Sequence, residues 1–221
     1  MVNKFVDHFK NFFGNCGEVY LIKEPLTLFT KKLDVEVAID LIKPVSDEEV
    51  KAALFDIEDN RASGSDGYTS NFFKAAWKVV GYDTCAAVKE FFSSGKLLGV
   101  VNASIISLIP KIISPKYVSD YSPISCCNVV YKTISKIITN RIKGVLSELV
   151  GENQSAFIPG RQISDNVLLA QEFMWGYNWK SWGGSSRCAF NIDIQKAYDT
   201  VNWQFLEFTL KCFGFHPVMV H

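Results

Sequence analysis

The chain has 221 residues, 48% of them hydrophobic and 21% charged, and its 23 basic and 23 acidic side chains cancel. Seventeen Phe and five Trp exclude intrinsic disorder, and a chain this long buries a core as one large domain or two small ones. A net charge of zero excludes no polyanionic partner, because phosphate binding needs local positive charge rather than a basic average.

The local charge is uneven. Residues 1–60 carry twelve acidic and seven basic side chains, whereas residues 103–147 carry Lys111, Lys116, Lys132, Lys136, Arg141 and Lys143 against one acid, Asp120. Such a run is either a solvated helix face or a phosphate-binding strip. The six cysteines form no CxxC pair and the three histidines do not sit at zinc-ligand spacing. The start, MVNKFVDHFKNFF, is too polar for a secretory h-region. No apolar run approaches the roughly 18 residues that span a bilayer. Reduced thiols inside a cell and no membrane partner are therefore expected.

In chain order, residues 1–45 read as a linker-like segment. Ser46 and Glu49 form a capping-box pattern after Pro44, and Val50, Ala53, Leu54 and Ile57 then recur at helical spacing. Residues 60–67 are turn formers. Phe73, Ala76, Trp77 and Val80 predict a second helix closed by Gly81, and a third helix runs to about Phe92 with Gly95 beyond it. Residues 104–109 are rich in β-branched side chains and end at Pro110, which predicts a strand. The clearest helix covers 128–150, where Val130, Ile134, Ile137, Ile138, Arg141, Ile142, Val145 and Leu149 keep the 3.6-residue period. A shorter helix follows Ser164. Residues 188–194 alternate as a strand with Asp193 on the face opposite Cys188, Phe190, Ile192 and Ile194, and 203–213 read as helix. The fold class is α+β and helix-rich.

Singly, the chemical signals are weak. Asp193 is a carboxylate at a strand end, where a fold can hold a metal ligand rigidly, but in isolation a surface Asp beside a core Tyr198 is the favoured reading. Their succession is specific: SGSDGYTSNFFKAAW (63–77), NASIISLIPK (102–111), DYSPISCCNVVYKTISKIITNRI (120–142), NQSAFIPGRQISDNVLLAQE (153–172) and NIDIQKAYDTVNW (191–203). This order, over about 45–215, resembles the reverse transcriptases of non-LTR (LINE-type) retrotransposons, particularly those abundant in plant genomes.

The resemblance implies a partial right-hand polymerase, with 46–187 as fingers and start of palm, and 188–221 as first palm strand and following helix. It implies an RNA template, a DNA primer, deoxynucleoside triphosphates and Mg²⁺ as partners and cofactor, in the nucleus or cytoplasm. Asp193 matches the first of three metal-holding carboxylates, and Tyr198 matches the aromatic beneath the sugar that rejects a 2′-hydroxyl. Lys111 matches a finger lysine that meets the triphosphate. Gln154, Gly160 and Arg161 match a segment near template and incoming nucleotide, and Ile194 joins the nucleotide-binding set.

Two departures bear on activity. Ser122-Pro123-Ile124 stands where the family usually has Arg-Pro-Ile, so a forked cationic donor is missing. The other two metal carboxylates of the family lie in an aromatic-Ala-Asp-Asp turn, and no Asp-Asp pair occurs in this sequence. The expectation is a truncated piece that does not polymerise by itself. The alternatives are the front part of an active polymerase continuing past residue 221, and a non-catalytic module gripping RNA or DNA through the Lys111–Lys143 stretch, Lys132, Lys136 and Lys143 included.

Overall fold

The computed structural model describes residues 2–14, 29–175, 190, 192, 198–199 and 201–220. Helices dominate: α1 (Val2–Gly14), α2 (Val35–Asp40), α3 (Asp47–Phe55), α4 (Ser70–Ala75), α5 (Trp77–Ser94) and α6 (Gly99–Asn102) precede a two-stranded sheet. Its strands β1 (Ser104–Pro110) and β2 (Tyr121–Cys127) are antiparallel, with Ser104 opposite Cys127 and Pro110 opposite Tyr121. Then come α7 (Val129–Lys143), α8 (Leu146–Leu149), α9 (Ile163–Trp175), α10 (Trp203–Cys212) and α11 (Pro217–Val220). The fold is thus mixed helix and strand, as the sequence pattern implies.

The main core forms where α3, α5 and α7 pack. Val50, Ala53, Cys85, Val88, Ile134 and Ile137 are buried there, and Trp77, Phe92 and Ile138 close its rim. Each helix contributes an apolar stripe at the helical period, so one face of each leaves water together. Leu54 and Ile137 are completely buried. Truncating such a side chain to Ala costs about 2–5 kcal/mol.

Arg141 stitches this core at its edge. Its Nε and Nη2 donate to the two carboxylate oxygens of Glu49 at 2.8 Å each, and Nη1 donates to the carbonyls of Leu41 and Lys43. Its side chain is only 13% exposed, so the bidentate geometry satisfies a charge that would otherwise be stranded. This changes the capping picture. Ser46 Oγ accepts the backbone N–H of Glu49 at 3.1 Å, as the pattern predicts, while the Glu49 carboxylate turns to Arg141.

A second cluster joins distant parts of the chain. Leu33, Leu41, Val145, Leu149 and Phe215 are buried together, with Leu210, Phe213 and Met219 packed against them. Leu33 N–H donates to the Phe213 carbonyl at 2.8 Å. Within residues 1–45, then, Leu33 and Leu41 belong to a core.

Two local expectations are corrected, and one strand had no sequence expectation. Gly81 does not close a helix: α5 runs through it, and the break falls at Ala76. Gly81 is buried against the Trp77 indole, 2.9 Å from where a Cβ would sit, so it serves close packing rather than termination. The helix predicted over 128–150 ends at Lys143 and resumes as the single turn α8, because Gly144 and Val145 leave the helical ladder. β2 carries no strand signal; Pro123 interrupts its β-forming residues, and β1 supplies the missing partner. The other terminator holds: Gly95 caps α5 at φ +67°. The strand predicted over 188–194 falls largely outside the described residues.

Candidate nucleotide site

Lys111 directly follows β1, at the mouth of the β1–β2 hairpin. Its Nζ donates to the Ser119 carbonyl at 3.0 Å, and its backbone N–H donates to the Asp120 carbonyl at 2.7 Å. The connecting loop is organised by Asp120, whose carboxylate accepts the backbone N–H groups of Tyr117 and Lys116 at 2.9 and 2.8 Å. Those bonds hold its carboxyl below the usual carboxylate range. Lys111 is therefore exposed at a fixed point. Ser122 sits opposite Ile109 in the same hairpin.

Residues 151–161 form a second element, built by hydrogen bonds more than by burial. The Arg161 guanidinium donates to four carbonyls, those of Gly151, Gln154, Ser147 and Val150, at 2.5–3.1 Å. Gln154 Nε2 donates to the Ala156 carbonyl at 3.2 Å. Ser155 and Ile158 point inward and are buried, whereas Phe157 between them is 82% exposed. Phe157 adopts φ +63°, the one non-glycine residue among those described in the left-handed region. A bulky side chain there costs about 1–2 kcal/mol. Arg161 gathers the loop into a cup that holds this conformation, and the conformation turns the ring outward.

The outward ring meets Tyr198. The Phe157 and Tyr198 ring centroids lie 5.8 Å apart at an interplanar angle of 84°, an edge-to-face arrangement favoured by the ring quadrupoles. Tyr198 is 75% exposed. Two segments singled out in the sequence thus come together, the 153–161 motif and the tyrosine of the 191–203 motif. Asp193 and Ile194 lie outside the described residues.

The basic strip is largely a set of internal ties. Lys132 Nζ donates to the Ala62 carbonyl, Lys136 pairs with Asp56, and Arg141 pairs with Glu49. Cationic groups facing their own chain make a poor open track for phosphates. Four cysteines lie among the described residues. Cys85 lies in the core, where burial pushes its thiol up to about 11, and Cys126, Cys127 and Cys212 are free thiols. Among the described residues no three His, Cys, Asp or Glu side chains cluster to hold a metal ion. Among them, too, no helix is long and apolar enough to cross a membrane.

The model of the family described as "Reverse transcriptase (RNA-dependent DNA polymerase)" matches residues 111–221, from Lys111 through the cup to the final helices. The chain belongs to the reverse transcriptase family. It is also 32% identical over 177 residues to the "Transposon TX1 uncharacterized 149 kDa protein" of Xenopus laevis. That similarity covers 80% of this chain and 13% of the Xenopus protein. The chain is accordingly a reverse transcriptase segment with a transposon relative, and divalent metal ions are the general requirement of its family.

Phe157 escaped the sequence reading. Nothing in NQSAFIPGR marks one aromatic as outward-facing, and its partner lies 41 positions further along.

Proposed function

We propose that this chain supplies the nucleotide-facing part of an RNA-directed DNA polymerase from a LINE-type transposable element. Residues 46–187 form its fingers and the start of the palm, and 188–221 its first palm strand and following helix. The carrying observation is the meeting of Tyr198 with the 151–161 cup inside the segment matched to the family.

In this reading Lys111, fixed at the hairpin mouth, meets the triphosphate as a point charge. Tyr198 lies under the sugar, where a flat ring leaves no room for a 2′-hydroxyl. Gln154 and Ile194 line the same site. Arg161 acts through the loop it gathers, because its donors already face four carbonyls. Asp193 is the metal-holding and catalytic carboxylate. A carboxylate oxygen is the hard donor that Mg²⁺ prefers, and the bound ion would supply charge neutralisation at the triphosphate. Template and primer strands are the partners.

The test is photolabelling of the 221-residue chain with an azido-deoxynucleoside triphosphate in Mg²⁺, followed by peptide mapping. Label on peptides containing Lys111, residues 151–161 and Tyr198 is expected, and Lys111→Ala should weaken binding roughly tenfold, the loss of one charged contact. Label confined to other peptides would sink the reading.

A further inference from the structure

Phe157 combines two features that general packing does not explain. It holds a backbone conformation that aromatic residues rarely adopt, and its ring, together with that of Tyr198, stays mostly in water. An aromatic pair contributes about 0.5–1.5 kcal/mol, no more than the backbone strain costs. Strain that persists only because its surroundings enforce it marks a positioned group, and here the enforcement is visible. Arg161, four residues after Phe157, ties back to the carbonyls of Ser147, Val150, Gly151 and Gln154 ahead of it, while Ser155 and Ile158 anchor the loop inward.

We propose that Phe157 is a positioning residue for Tyr198: its ring, set perpendicular to the tyrosine ring, fixes that ring and so sets discrimination between deoxyribose and ribose in a bound nucleoside triphosphate. This rests on the reading of Tyr198 as the sugar-facing aromatic. A tyrosine on an exposed turn otherwise rotates among χ1 wells, and a rotating ring sets no boundary against one hydroxyl. The perpendicular ring contact selects one well and leaves Tyr198 75% exposed, so most of the ring stays open to a ligand. Arg161 acts at one further remove, by holding Phe157.

The experiment uses the full 221-residue chain in Mg²⁺, with dGTP and GTP as probes. Calorimetry gives the ratio of their affinities, and carbon-13-labelled tyrosine reports the Tyr198 ring by NMR. Phe157→Ala is expected to lower the dGTP:GTP preference roughly three- to tenfold, the range an aromatic pair supplies. It should also abolish the ring-current shift of Tyr198. Phe157→Tyr should restore both, because it keeps the ring edge. Tyr198→Ala should lower the preference at least as far, and adding Phe157→Ala to it should change nothing more, as expected of two residues acting through one contact.

A preference lost in Tyr198→Ala but intact in Phe157→Ala would overturn the positioning role and leave the sugar-facing reading standing. A preference unchanged in both, or no binding of either nucleotide, would overturn both. An unchanged Tyr198 ring signal in Phe157→Ala would refute the contact whatever the nucleotides do.

Discussion

The α3–α5–α7 core and the 151–161 cup sit in one chain yet are held by different forces. The core excludes water: Val50, Leu54, Val88 and Ile137 are fully buried, and of the ion pairs at its edge the one between Glu49 and Arg141 is bidentate and the best shielded. The cup is open to water, holds one strained residue, and depends on a single guanidinium touching four carbonyls. Rigidity in the core comes from non-directional burial that tolerates exchange of similar shapes. In the cup it comes from directional bonds that a single substitution removes. A group that must face a ligand cannot be fixed by burying it, so the second method belongs where binding is proposed.

Three measurements would break or sharpen this contrast. The largest effect is expected from Ile137→Ala, which should lower the unfolding free energy by about 3–4 kcal/mol, read from the urea midpoint. A loss below about 1 kcal/mol would mean that the three-helix core is not the main source of stability. Arg161→Ala should do the opposite in kind. Global stability should move by no more than about 1 kcal/mol, while amide exchange across 151–161 speeds up about tenfold or more as its bonds open locally. Loss of cooperative unfolding in this variant would show that cup and core are one unit.

The smallest effect concerns the hairpin loop, which resembles the cup in method. The Asp120 carboxyl is held below its ordinary value of 3.8, so its bonds stabilise the loop above that value and are lost as pH falls through the lower folded value. Protection of the Lys116 and Tyr117 amides should therefore drop below about pH 4, with α7 amides unaffected. Protection that persists to pH 2, or is unchanged by Asp120→Ala, would remove Asp120 from the loop's support.

The same contrast explains what could be read in advance. Val50, Ala53 and Leu54 announce α3 because burial of a helix face imposes a period, and Ser46 announces its start because an exposed helix end needs an acceptor. β1 was legible from its β-branched run. β2 was not, since its partner lies across a loop and Pro123 obscures the pattern. Gly81 misled, because a glycine that admits a Trp77 ring looks in sequence like one that ends a helix. Of the proposed site residues, Lys111 and Tyr198 come from motif order, and the structure places one at the hairpin mouth and the other against the cup. The carbonyl cluster around Arg161 had no sequence signal, because carbonyls belong to every residue. Asp193 and Ile194 remain assignments from motif alone.

The tie between Glu49 and Arg141 spans 92 residues of sequence, and this has a consequence during synthesis. At roughly 5–20 residues per second, about 5–20 s pass between making one partner and making the other. The apolar stripe of α3 emerges from the ribosome ahead of α7 by the same interval, with α7 not yet there to cover it. Contacts of such long range also slow the search for the native state once the chain is complete. Slower synthesis lengthens that exposure and faster synthesis shortens it, so elongation rate sets how long the α3 stripe is open to aggregation on the nascent chain.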